Sequence, residues 1–248
     1  MTEQALQAVP ARAPSIDQRV AALAWRDIEA ALDQDGAAIL SGILDASECT
    51  ALAADFANEA LFRSRIVMAR HNFGRGEYKY FAAPLPALVA ELRTTLYPPL
   101  AAIAEKWSEL LGEPQRYPAR HADFLALCHA KGQAKPTPLL LQYAAGDFNC
   151  LHQDLYGECF FPLQVAFLLS QPGEDFTGGE FLLVESRPRA QSRPQVIPLR
   201  RGDAVVFAVH DRPVRGVRGF YRVTLRHGVS RVLAGHRSVL GVIFHDAR

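Results

Sequence analysis

Cysteine, methionine and tryptophan are scarce in this chain, and long apolar runs are missing. Its 248 residues include four cysteines, two methionines and two tryptophans. No two of Cys49, Cys128, Cys150 and Cys159 have CxxC spacing. That excludes a disulfide scaffold and the common zinc motifs, and predicts reduced thiols in a cytoplasmic protein. Cys150 and Cys159 are expected to be small buried hydrophobes. No apolar run approaches the ~18 residues of a membrane span, so none is expected. The opening "MTEQALQAVPARAPS" lacks an apolar core and is not expected to be a secretory signal. Residues 1–14 are expected to form a mobile tail. Excess charge is missing too: 27 basic residues against 26 acidic ones leave a net +1. No global field recruits nucleic acid or membrane, so any such binding must come from a local patch.

What is present divides by texture. Ser15 to Asp35 has apolar residues at helical spacing, and Gly36 ends it. Asp45 with Glu48 three positions on is a capping-box start for a second helix. A third helical region runs from about Pro86 to Leu111, kinked or divided by Pro98-Pro99, and 119–131 reads as a short helix. From Pro138 on, seven short β-branched or aromatic runs alternate with turn signals: "LLLQY", "LQVAFLL", "EFLLVE", "QVIPL", "DAVVFAV", "YRVTLRHGV" and "SVLGVIF". The reading is an α+β protein with one domain over 15–248: a helical part over 15–135 packed on a jelly roll over 136–248.

Within "YAAGDFNCLHQDLYGECFF" the pair His152-x-Asp154 has strand spacing, which places both side chains on one face about 6–7 Å apart. Two such ligands grip a metal from one side, and a third must come from another strand. His227, at the end of a late strand-like run, is the candidate. Two histidines and one carboxylate form the facial triad of non-haem Fe(II) oxygenases. Alone, HxD is a weak signal, and "VHDRP" and "FHDAR" show how common such pairs are. Arg237 follows His227 by ten residues, beyond the glycines 228 and 235, so the two are expected on neighbouring strands. An arginine among "VLGVIF" needs an anionic partner, and its guanidinium can hold a carboxylate bidentately.

The set His152-x-Asp154, "TGGEF", "RRGDAVVF", His227 and Arg237 resembles the Fe(II)/2-oxoglutarate-dependent dioxygenase superfamily over about residues 138–246. "YAAGDFNCLHQD" resembles the matching segment of AlkB-type nucleic-acid demethylases. The spacing after His227 is more similar to prolyl-4-hydroxylase-type members. The whole chain looks most similar to a bacterial family of the superfamily that is expected to demethylate damaged DNA. The resemblance implies a double-stranded β-helix core, with Fe(II) on His152, Asp154 and His227. It further implies 2-oxoglutarate on Arg237 and Tyr143, and dioxygen as oxidant.

A second informative stretch, 62–81, interleaves Arg70, His71, Arg75 and other cations with Tyr78, Tyr80 and other aromatics. Cations for phosphates and aromatics for bases suit a flipped-nucleotide enzyme, and the stretch is a candidate substrate lid. A basic hairpin paired with the chain's own acids is the plainer alternative. Arg212, Arg215, Arg218, Arg222, Arg226 and Arg231 form a further basic run, a phosphate-tracking patch only if several project from one rim. Nucleic acid is the expected substrate, with no membrane and no obligate protein partner. The alternatives are a peptide or small-molecule hydroxylase and a non-catalytic binding module.

Overall fold

The computed structural model describes residues 14–154 and 157–248. The expected tail over 1–14 therefore lies almost wholly outside the described residues.

Two capping boxes start the first helices. Ser15 caps α1 (Ile16–Ala21) with Gln18, and Asp45 caps α3 (Ala46–Asp55) with Glu48, as the spacing indicated. The first helical stretch is two helices, not one. α1 ends at Ala22, and α2 (Trp25–Asp35) begins after a turn in which the Trp25 indole donates to the Val20 carbonyl at 3.0 Å. Gly36 closes α2 in the left-handed region at φ 76°, where a Cβ would lie 2.5 Å from Leu225.

The first half also holds strands that periodicity did not show. β1 (Ala37–Leu40), β2 (Phe62–Val67), β3 (Gly74–Arg75) and β4 (Glu77–Phe81) precede α4 (Ala87–Leu110) and α5 (His121–Ala130). The region 15–135 is thus not simply helical. These strands are short and their burial alternates weakly, so pairing to the later strands decides them. Nor do Pro98 and Pro99 divide α4, which runs unbroken for 24 residues. The prolines remove two backbone donors. Buried Leu96, Tyr97, Leu100, Ile103 and Trp107 on both sides of them hold the helix by packing.

All seven runs read as strands are strands: β5 (Leu139–Ala144), β7 (Leu163–Leu168), β9 (Phe181–Ser186), β10 (Arg193–Ile197), β11 (Ala204–Ala208), β13 (Gly219–Val229) and β14 (Val232–Val242). Between them lie β6 (Phe148–His152), β8 (Phe176–Gly178) and β12 (Asp211–Gly216). Among the described residues the larger sheet has the order β1-β11-β7-β14-β5-β4-β2, with β8 on the start of β14. The smaller has the order β10-β9-β13-β6-β3, with β12 on β13.

The sheets face each other: Phe207 of β11 lies 4.6 Å from the His227 ring of β13 and 5.0 Å from Phe181 of β9, centroid to centroid. Helices α3 and α4 pack against β14 of the larger sheet and α2 against β11, and every residue of β7 and β11 is buried. That is why "LQVAFLL" and "AVVFA" are nearly continuous apolar runs. Elsewhere Arg212 of β12 is fully buried, donating to the Asp33 carbonyl at 2.6 Å and to Glu185 of β9, which ties α2 to the smaller sheet.

Candidate active site

The candidate metal site is assembled across the smaller sheet. His152 on β6 and His227 on β13 are direct register partners. Asp154 follows the end of β6 rather than sitting on it, and turns back between the two imidazoles. Its Oδ1 is 3.4 Å from His152 Nε2 and its Oδ2 is 3.4 Å from His227 Nε2. One ligand atom from each residue falls within 4.8 Å of the others, the only such group of three among the described residues. The HxD spacing thus unites the pair by a turn past the strand end, not by two positions of one strand face.

His152 Nδ1 donates to the Cys150 carbonyl at 2.8 Å, leaving Nε2 as the lone-pair nitrogen facing the site. His227 Nδ1 is buried without a hydrogen-bond partner. Burial opposes charge on His152, but hydrogen bonding and charge from Asp154 outweigh it and raise its pKa. On Asp154 burial is again the largest influence and acts upward. The two histidines outweigh it and hold the carboxyl well below its ordinary range. His227 goes the other way, lowered by burial and then by His152.

A cavity of about 350 Å³ opens beside the triad, within the about 300–1,000 Å³ usual for small-ligand sites. Tyr143 on β5 and Arg237 on β14 are register partners in the larger sheet, and both line the cavity. Arg237 therefore does not neighbour His227 in one sheet, as its spacing suggested. The chain changes sheets between Val229 and Val232, and the two face each other across the cavity. Arg237 is 3% exposed; its guanidinium sits 5.5 Å above the Tyr143 ring and 5.9 Å from Phe176, and leaves Nε unpartnered. No carboxylate of the described residues pairs with it. Burial lowers its pKa to about 10, still a cation at neutral pH. Tyr143 is fully buried, its hydroxyl accepting from Asn149 at 3.4 Å; burial raises its pKa to about 12, with Arg237 opposing.

The 62–81 stretch is hydrogen-bonded into both sheets rather than detached as a flap: β4 pairs with β5, and β3 with β6. Tyr78 and Tyr80 line the cavity, their rings edge to face at 5.5 Å, with Asn72 and Phe73 beside them. Arg70, His71 and Arg75 are exposed and lie off the cavity wall. Several cations of the stretch meet acids of the chain: Arg65 with Glu77, Lys79 with Glu59, and, at 3.9 Å, Arg75 with Asp147. In the later basic run, Arg212 is buried on Glu185 and Arg222 reaches Glu113 at 2.8 Å, while Arg215, Arg218, Arg226 and Arg231 are exposed.

Both rival His-Asp pairs are absorbed structurally. His210 pairs with Asp211 at 2.8 Å, and Asp246 meets Arg93 at 2.8 Å and His129 at 2.9 Å. All four cysteines are free; Cys159 is buried, but Cys150 is exposed at the cavity wall, against expectation, because β6 lies next to the sheet edge. Sequence reasoning missed Asn149, Phe207 and Gln164 on the cavity wall. The signal for Gln164 was one polar residue inside an apolar run.

A jelly roll with two histidines and an aspartate facing a buried arginine is the class of the 2-oxoglutarate–Fe(II) oxygenases. A family profile described as "Oxygenase, catalysing oxidative methylation of damaged DNA" matches residues 76–247, and the chain belongs to that family, Oxygenase-NA. An uncharacterised protein of Mycobacterium tuberculosis is 46% identical over 196 residues, 77% of this chain and 84% of that one. In fold the chain is similar to a Pseudomonas putida prolyl-4-hydroxylase, with TM-score 0.53, 14% identity, and coverage of 90% of this chain and 99% of that one. A Burkholderia pseudomallei oxidoreductase of the 2OG-Fe(II) oxygenase family gives TM-score 0.51, 17% identity, and coverage of 91% and 94%. The protein is an enzyme of this family, with Fe(II) as its cofactor and 2-oxoglutarate and dioxygen as co-substrates. No described helix is long and apolar enough to cross a membrane.

Proposed function

We propose that the enzyme removes N-methyl groups from damaged bases of DNA or RNA by oxidising the methyl carbon. In this reading His152, Asp154 and His227 hold Fe(II), and Arg237 with Tyr143 receives the distal carboxylate of 2-oxoglutarate. The residues present fit both groups: three ligand atoms converge, and a buried guanidinium stands without an anion. Iron, 2-oxoglutarate and dioxygen together supply one oxygen atom to a C–H bond, with succinate and carbon dioxide as the other products. A hydroxylated N-methyl group then leaves its nitrogen as formaldehyde. The chain's own work is to orient and to exclude water. Cys150 fixes the His152 ring by its carbonyl, and Phe181 and Phe207 pack against His227.

The observation that carries the substrate class is the aromatic wall, Tyr78 and Tyr80, on the same cavity as the triad. Flat rings there suit a base taken out of its stack. Phe73, exposed and stacked on His71 at 5.3 Å, extends that surface outward. Four free thiols support a cytoplasmic location. The test is incubation of N-methylated oligonucleotides with iron and 2-oxoglutarate, scoring formaldehyde and restored base. Release from at least one methylated base is expected. No release from any of them, with 2-oxoglutarate turnover intact, would reject the substrate and leave peptide or small-molecule hydroxylation.

A further inference from the structure

We infer that Gln164 reads the base, by accepting a hydrogen bond from its exocyclic amino group; the inference rests on the demethylase reading above. Gln164 is the second residue of β7, 5% exposed, on the cavity wall. Its Oε1 is buried with no hydrogen-bond partner, and its carboxamide bonds to no described residue. Its register partner on β11 is Phe207, whose ring lies 4.6 Å from that of His227. Register partners share a face, so the amide stands one side chain away from a candidate iron ligand. Its neighbours on the wall, Ala166 and Phe207, offer nothing to bond.

Buried polar atoms are rarely left unmatched, because desolvation without a partner is costly. An apolar residue of the same size would serve β7 better if Gln164 only filled space. The position therefore has the character of a recognition group whose partner comes with the substrate. A carboxamide oxygen can accept from the exocyclic amino group of adenine or cytosine, which stays a donor when the ring nitrogen beside it carries the methyl. Thymine has carbonyls at both flanking positions and lacks that amino group. The reading of the base is thus separate from the stacking by Tyr78 and Tyr80, which any base satisfies.

The test compares wild type, Gln164→Leu and Gln164→Met on oligonucleotides carrying N-methylated adenine, cytosine or thymine. Wild type is expected to favour the amino-bearing bases. Both variants should lose about ten- to hundredfold in kcat/KM on those bases, and little on thymine, as for loss of one good base contact. Their iron content should match wild type, and their melting temperature should equal or exceed it. Metal-free protein, titrated with the methylated-adenine oligonucleotide in fluorescence anisotropy, should weaken by a similar factor. An unchanged base preference in both variants overturns the inference while leaving demethylation standing. So does a loss of melting temperature in both with the preference kept, which would make Gln164 structural. Wild type inactive on every methylated base rejects the demethylase reading, and this inference with it.

Discussion

Arg237 is the residue whose surroundings speak most directly of a missing partner. A guanidinium buried with no carboxylate is costly to the ligand-free protein and favourable once an anion arrives. Arg237→Ala should raise the 2-oxoglutarate KM by about ten- to hundredfold, the worth of a charged hydrogen-bonding pair, with iron content unchanged. 2-Oxoglutarate should raise the melting temperature of wild type and not of the variant. Loss of iron in the variant would contradict the assignment. His121 allows a second prediction at this scale. It is buried, accepts no charge readily, and donates to the Phe244 carbonyl at 2.8 Å. Burial, then Arg93, pushes its pKa down to about 4 from 6.5. Its folded pKa is the lower one, so its neutral form is favourable above about pH 6.5. As pH falls from there towards 4 the unfolded chain binds a proton that the folded one refuses. Stability then drops by about 1.4 kcal/mol per pH unit from this group. His121→Gln should flatten that part of the profile in denaturant melts taken at stepped pH. An unaltered slope would show that His121 is not the titrating group.

At the scale of elements, β14 does the most to shape the site. Its first residues pair with β8, and the rest insert between β5 and β7. Gly235 lies at the change of partner with φ 78°, and a Cβ there would be 2.0 Å from the Asp175 carbonyl oxygen. Gly235→Ala should destabilise by about 1–3 kcal/mol or more, the cost of a strained left-handed residue, and raise the 2-oxoglutarate requirement by displacing Arg237. Normal stability with normal 2-oxoglutarate affinity would mean that the turn has little influence on Arg237. Among the late strands, β7 and β11 were readable because burial on both faces demands continuous apolar side chains, and β9 because its burial alternates with strand period. β2 and β4 were not, since their alternating cations and aromatics suit a hairpin or a lid equally well. Their place was decided by the edge of β5, to which β4 bonds.

For the whole molecule the question is where a polyanion would lie. A net charge of +1 gives no general attraction. Exposed Arg70 and Arg75 lie on the stretch that frames the cavity, and Arg215, Arg218, Arg226 and Arg231 lie along the smaller sheet and its turns. Oligonucleotide affinity should therefore fall as salt rises, with a log–log slope of about −0.7 per phosphate contacted on single strands. Replacing Arg70 and Arg75 by alanine should lower that slope and leave the iron content intact. A flat salt response in wild type would favour a peptide or small molecule over nucleic acid.

The amino-acid order alone picked out the candidate metal ligands His152, Asp154 and His227, the candidate anion-binding Arg237, the capping boxes and the apolar strands. Each is carried by local spacing or by the cost of burying the wrong group. Three-dimensional pairing decided the rest. It set Asp154 past the strand end, between two imidazoles. It put Arg237 across the cavity from His227 rather than beside it, and drew the N-terminal strands into both sheets. Gln164 was also left bare on the wall. These outcomes depend on which distant backbone edges and side chains meet, and no local spacing records that.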